Sequence, residues 1–158
     1  MFFDKDMAFR EVSRVLRRGG RYLFSVWDSR HYNPYASLTF EVMKQFFPSD
    51  PPRFLEGTVS SFEIDPIKEM LIRAGFERIN ISVQRRVYDI PDVRSFARGL
   101  IFSPIINEIR ERGEVDPENI VEVLAKTFVR EYGSNPTCFP MQAILFEVEK
   151  SEENKPQL

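Results

Sequence analysis

Residues 1–28 read MFFDKDMAFREVSRVLRRGGRYLFSVWD, a helix pattern running through a Gly-Gly turn into a strand pattern. Ala8, Phe9, Val12, Val15 and Leu16 recur at helical spacing, which predicts a helix from about Lys5 to Arg17 with one buried stripe. Asp4 is placed as its N-cap, where a carboxylate accepts orphan N–H bonds and meets the positive end of the dipole. Gly19 suits the left-handed residue that closes such a helix. Arg14, Arg17 and Arg18 complement its negative end, a simpler account than a basic binding patch. Arg21–Trp27 then carries apolar and aromatic residues on both faces, the pattern of a strand buried on both sides within an α/β sheet. A helix leading into such a strand normally crosses over from an earlier parallel strand. The expectation is therefore a sheet entered in mid-fold.

Working outward, DSRHYNPYA is a polar loop turning at Asn33-Pro34, followed by a helix from about Tyr35 to Phe47 that stops at Pro48. A proline-rich connection precedes a helix through Ala74, with Ile64, Ile67 and Leu71 on one face and Gly75 as its stop. In the next segment, FERINISVQRRV from Phe76 to Val87, Ile79, Ile81 and Val83 alternate with Asn80, Ser82 and Gln84, as in a half-exposed edge strand. Helices are predicted over about Val93–Leu100, Pro104–Arg112 and Pro117–Tyr132, the last capped by Asp116 with Pro117 at its first position. Met141–Glu149 reads as a strand apolar on both faces, and the final residues as a solvated tail. A last strand buried on both sides must lie between two others, so the predicted sheet order is first, last, middle.

Composition narrows the function. The 158 residues fit one domain and one sizeable core. The 22 basic and 24 acidic residues are spread along the chain, without the basic stripe that a nucleic acid partner requires. No apolar run approaches the roughly 18 residues of a membrane span, so no membrane partner is expected. The single cysteine, Cys138, and the absence of a signal-type leader point to the cytoplasm. One histidine and one cysteine also exclude a metal site built on those ligands, and no metal is expected.

The stretch from Phe2 to Asp28, followed by NPYA, FFPSDPPRF, AGF and ARGLIFSPI, resembles the downstream half of class I S-adenosylmethionine-dependent methyltransferases of the UbiE-like, type 11 group. The resemblance extends to about Glu149; this chain has Arg18 where the family usually has proline, and lacks another between Phe3 and Asp4. It implies the C-terminal half of a Rossmann-like α/β sheet, its three strands matching the family's fifth, sixth and seventh, with covering helices. Residues 1–150 would then form a partial, substrate-side methyltransferase domain and 151–158 a disordered tail. The family's first four strands and glycine-rich cofactor loop would precede Met1, which looks like an internal methionine. Apart from Gly19 and Gly20 the seven glycines lie far apart, so no glycine-rich cofactor loop occurs in this sequence.

Methyl transfer needs an aligned nucleophile and, for a weak one, a base. In open α/β sheets the site lies beyond the carboxyl ends of the strands, where Trp27, Asp28, His31, Tyr32 and Asn33 fall. By resemblance this loop faces a small-molecule acceptor, with His31 or Asp28 as base and Trp27, Tyr32 and Asn33 binding substrate. His31 also reads as an exposed loop residue and Asp28 as a strand-end cap. Phe2, Phe3 and Asp4 match the segment that passes beside S-adenosyl-L-methionine in relatives, although an N-cap with a hydrophobic staple explains them without a ligand. Three readings remain open: a methyltransferase half inactive alone, a non-catalytic dimerisation or interaction module, and one part of a split methyltransferase. In each, the Arg21–Trp27 edge should pair, with a second copy in a homodimer or with a complementing N-terminal half.

Overall fold

The computed structural model describes residues 4–52, 63–113, 115–134 and 136–151. Among these, the elements in chain order are α1 (Lys5–Val15), β1 (Arg21–Trp27), α2 (Pro34–Phe46), α3 (Ile64–Arg73), β2 (Phe76–Ile90), α4 (Val93–Ile101), α5 (Ile105–Arg112), α6 (Pro117–Tyr132) and β3 (Thr137–Lys150). The fold class is α/β. The strands form one sheet in the order β1-β3-β2, which places the last strand between the other two. Both pairings are antiparallel. Lys150 and Gly20 bond at one end of the β1-β3 pair, Asp28 and Gln142 at the other, and Ser151 N donates to Gly75 O where β2 begins.

The described residues form two compact units, one comprising 4–26, 63–84 and 143–151 and the other 27–52, 85–113, 115–134 and 136–142. Each has its own apolar cluster, where chain length alone suggested one core. In the first unit, α1 and α3 contribute Phe9, Ile67 and Leu71, and the strands contribute Phe76, Ile144, Phe146 and Val148. The Phe24 ring stacks on Phe146 at 4.8 Å between centroids, a geometry favourable beyond area burial. Asp6 of α1 pairs with Arg73 of α3 at 3.1 Å.

Residues 1–28 depart from the expectation in four respects. The helix stops at Val15 with Leu16 already extended, rather than at Arg17, because the Lys150 ammonium donates to the carbonyls of Ser13 and Leu16. Gly19, at φ 65°, serves the following turn and not the helix cap. Val15 is 67% exposed and Ser13 takes its place on the buried face. The fourth concerns β1, whose side chains alternate exposed and half-buried: Tyr22, Phe24 and Val26 face the core, while Leu23 is 58% exposed on the other face. A strand at the end of the sheet, with one face uncovered among the described residues, cannot be buried on both sides.

In the second unit α2, α4, α5 and α6 enclose a core that includes Met43, Ile101, Ile105, Leu124, Phe128 and Phe139. Arg94 and Arg98 of α4 bridge to Glu118 and Glu122 of α6 at 2.6 to 2.9 Å. The helix α6 forms over its predicted span, with the Asp116 carboxylate accepting from Glu118 N at 3.0 Å. β2 is half-exposed, as expected, only as far as Ile81; from Ser82 to Asp89 every residue is exposed, including Val83 at 52%, and the strand runs on to Ile90. No helix among the described residues is long and apolar enough to cross a membrane.

Candidate functional site

The chain leaves β1 at Trp27 and makes two overlapping turns before α2: Tyr32 N donates to Ser29 O at 3.0 Å, and Asn33 N to Arg30 O at 3.3 Å. Pro34 then occupies the first turn of α2, where its missing N–H costs nothing. Asn33 stands at the N-cap position yet makes no side-chain cap bond, because its amide is engaged elsewhere. Its Nδ2 donates to Asp28 O and Gln142 O, both at 2.9 Å, and more distantly to Ser29 O. Its Oδ1 accepts from Gln142 N at 3.0 Å. Asn33 is wholly buried, so the side chain acts as a backbone surrogate stitching the loop to β3.

Asp28 belongs to the same cluster. Its Oδ2 accepts from Gln142 Nε2 at 2.7 Å and its Oδ1 from Ser29 N at 2.6 Å, while its own N–H donates to Gln142 O at 3.1 Å. Both carboxylate oxygens of this 7%-exposed residue therefore have donors. Such bonds compensate burial of a charge and fix the end of β1. Among the described residues, every buried side-chain nitrogen and oxygen has a partner.

The other predicted residues point away from this cluster. His31 is exposed, its ring edge-on to Tyr32 at 4.8 Å. Trp27 and Tyr32 are each 42% exposed, and Trp27 meets the Tyr35 ring edge-on at 6.2 Å. The guanidinium of Arg30 lies 5.0 Å over Phe40, and Lys44 Nζ approaches the same ring at 4.6 Å. From Tyr35 the aromatic contacts continue through Phe96 to Phe139 and Phe128. Burial pushes the Tyr35 hydroxyl up to about 12, which keeps it protonated. The structure thus gathers Asp28 and Asn33 around Gln142 and leaves Trp27, His31 and Tyr32 on a polar-aromatic surface. Gln142 escaped the sequence reading, although it is the one polar side chain between Phe139 and Phe146.

Asp4 is used as the helix cap, its Oδ1 accepting from Met7 N at 2.9 Å. Phe2 and Phe3 lie outside the described residues. The described residues do not fit an S-adenosylmethionine cradle by themselves. A close-approach turn needs glycines between a strand and a helix N-terminus, whereas the turn after β1 runs from Asp28 to Asn33 and that after β2 is Pro91-Asp92. The positive-φ glycines, Gly19, Gly75, Gly113 and Gly133, stand singly in the turns between elements. Among the described residues, no three His, Cys, Asp or Glu side chains are grouped to hold a metal ion.

No family model matches the sequence, and neither does any curated protein. Among solved structures, the chain is similar to a candidate methyltransferase from Bacillus halodurans, at 15% identity and a TM-score of 0.49, covering 95% of this chain and 59% of that one. It is similar to the YcgJ protein from Bacillus subtilis at 16% identity and a TM-score of 0.45, covering 96% and 60%. A third likeness is to a Haemonchus contortus phosphoethanolamine N-methyltransferase in complex with phosphomonomethylethanolamine and S-adenosylhomocysteine, at 14% identity and a TM-score of 0.44, covering 94% and 31%. The chain thus spans less than two thirds of each of these proteins. At these values the likenesses assign no activity to it.

Proposed function

We propose that this chain is the acceptor-side part of an S-adenosylmethionine-dependent methyltransferase acting on a small molecule, with the cofactor-binding half supplied by another segment. The observation that carries this reading is the sheet order β1-β3-β2, in which a final antiparallel strand separates two strands that run the same way. This is the arrangement expected if β1, β3 and β2 match the family's strands 5, 7 and 6. The loop at the carboxyl end of β1 lies where open α/β sheets take their ligands. In this reading Asp28, Gln142 and Asn33 hold the loop, Trp27 and Tyr32 form the acceptor surface, and His31 is the exposed group placed to take a proton. Phe2, Phe3 and Asp4 would border the cofactor.

Calorimetric titration with S-adenosylhomocysteine tests both parts of the proposal. The chain alone should give no saturable binding, and joining it to the segment encoded immediately upstream should create one site. Tight stoichiometric binding by the chain alone would overturn the division of labour. Continued silence of the joined polypeptide would overturn the methyltransferase assignment.

The exposed end position of β1 favours a second reading, a pairing module. Edge strands template association, and two β1 edges related by a two-fold axis would form one continuous sheet. Sedimentation equilibrium reads this directly: a dimer is expected, with slow amide exchange over Arg21–Trp27. A monomer with fast exchange there rules it out.

A further inference from the structure

The second unit carries another strand edge, of different chemistry. Residues 85–89 of β2 are exposed on both faces and Ile90 is half-buried. β2 is an end strand, so one side of its main chain has no strand partner among the described residues. Val87 is 66% and Tyr88 49% exposed, and alternation along the strand sends them to opposite faces. Arg85 and Arg86 are adjacent, exposed and without an ion-pair partner among the described residues. The facing stretch of β3, Thr137–Met141, carries no charge. The one carboxylate on this part of β2, Asp89, accepts from Cys138 Sγ at 3.2 Å.

These features select among occupants. Pairing of two copies about a two-fold axis between Arg85 and Arg86 would set the arginines opposite one another on both faces, and like charges across a strand pair are destabilising; about an axis at the middle of residues 85–90 each Arg86 would meet only an Asp89 that Cys138 Sγ already engages. An incoming strand with carboxylates meets the two arginines favourably, and its apolar residues meet Val87 and Tyr88. We propose that the outer edge of residues 85–90 binds, by strand addition, an extended acidic segment of a partner protein. Main-chain bonds to the edge would supply affinity, and the arginine pair would supply the choice of sign.

Fluorescence anisotropy of a labelled nonapeptide of paired glutamates and valines, EEVVEEVVE, which presents both residue types on each face of the strand, titrated with the full chain, tests this. Saturable binding is expected, with slowed amide exchange confined to residues 85–90. The R85E/R86E variant, altered only at exposed positions and so still folded by circular dichroism, should bind that peptide about tenfold more weakly. It should instead take the lysine counterpart. Several results overturn the proposal: no saturable binding, equal binding by R85E/R86E, protection at Arg21–Trp27 instead, or self-association through residues 85–90.

Discussion

Asn33 performs with one side chain what a short strand would do with its backbone, satisfying carbonyls of Asp28 and Gln142 and the Gln142 N–H. Asn33→Ala should therefore cost about 3 kcal/mol, since truncation leaves buried polar groups without partners; urea unfolding measures it. A drop under about 0.5 kcal/mol would mean that water replaces the amide. Tyr35 provides a second prediction. Its hydroxyl is raised to about 12 from an ordinary value of 10.0 by burial. The unfolded chain therefore loses the Tyr35 proton first, binds fewer protons than the folded one between pH 10 and 12, and stability falls as pH rises through that window. The loss attributable to Tyr35 should approach about 2 to 3 kcal/mol and disappear in Tyr35→Phe, leaving the contributions of Tyr22 and Tyr132, whose hydroxyls burial also raises, as chemical denaturation at stepped pH would reveal. At this scale the sequence pointed to Asp28 and Asn33 through their place after a strand. It gave no sign of their shared partner Gln142, because 109 residues separate Asn33 from it and only the sheet register joins them.

The element α6 was legible to its last residue because Asp116, Pro117 and Gly133 mark both ends chemically. By contrast, α1 was read two residues too long, since the stripe of Val12, Val15 and Leu16 continues past the point where Lys150 terminates the helix. The Gly-Gly turn looked like one signal and is two. Gly19 supplies a positive φ of 65°. A Cβ on Gly20 would instead lie 2.7 Å from the main-chain oxygen of Arg17, the same oxygen that accepts the Gly20 N–H. Gly20→Ala should destabilise by about 1 to 3 kcal/mol by forcing the turn open, as a thermal melt would register; an unchanged midpoint would mean that the turn yields without cost. The extension of β2 to Ile90 was illegible for a plain reason. The segment read as strand ends at Val87; Tyr88, Asp89 and Ile90 add no apolar-polar alternation before Pro91, and the exposure of residues 82–89 on both faces in the structure is why none is needed.

For the whole molecule, sheet order was legible because burial on both faces of β3 leaves it only a central place, and every residue of β3 is buried or half-buried. The division into two cores was not. Periodicity identifies which residues of an element are buried and is silent on which other elements bury them. The placement of Trp27, the only tryptophan in the chain, has an optical consequence. It closes β1, is 42% exposed, and touches the ring of Tyr35. All indole emission therefore has one origin, at the junction of the strand edge with the candidate loop. Anything that docks on β1 or fills the loop surface should shift that emission to shorter wavelengths and shield it from iodide, while an occupant of residues 85–90 should leave the spectrum unchanged.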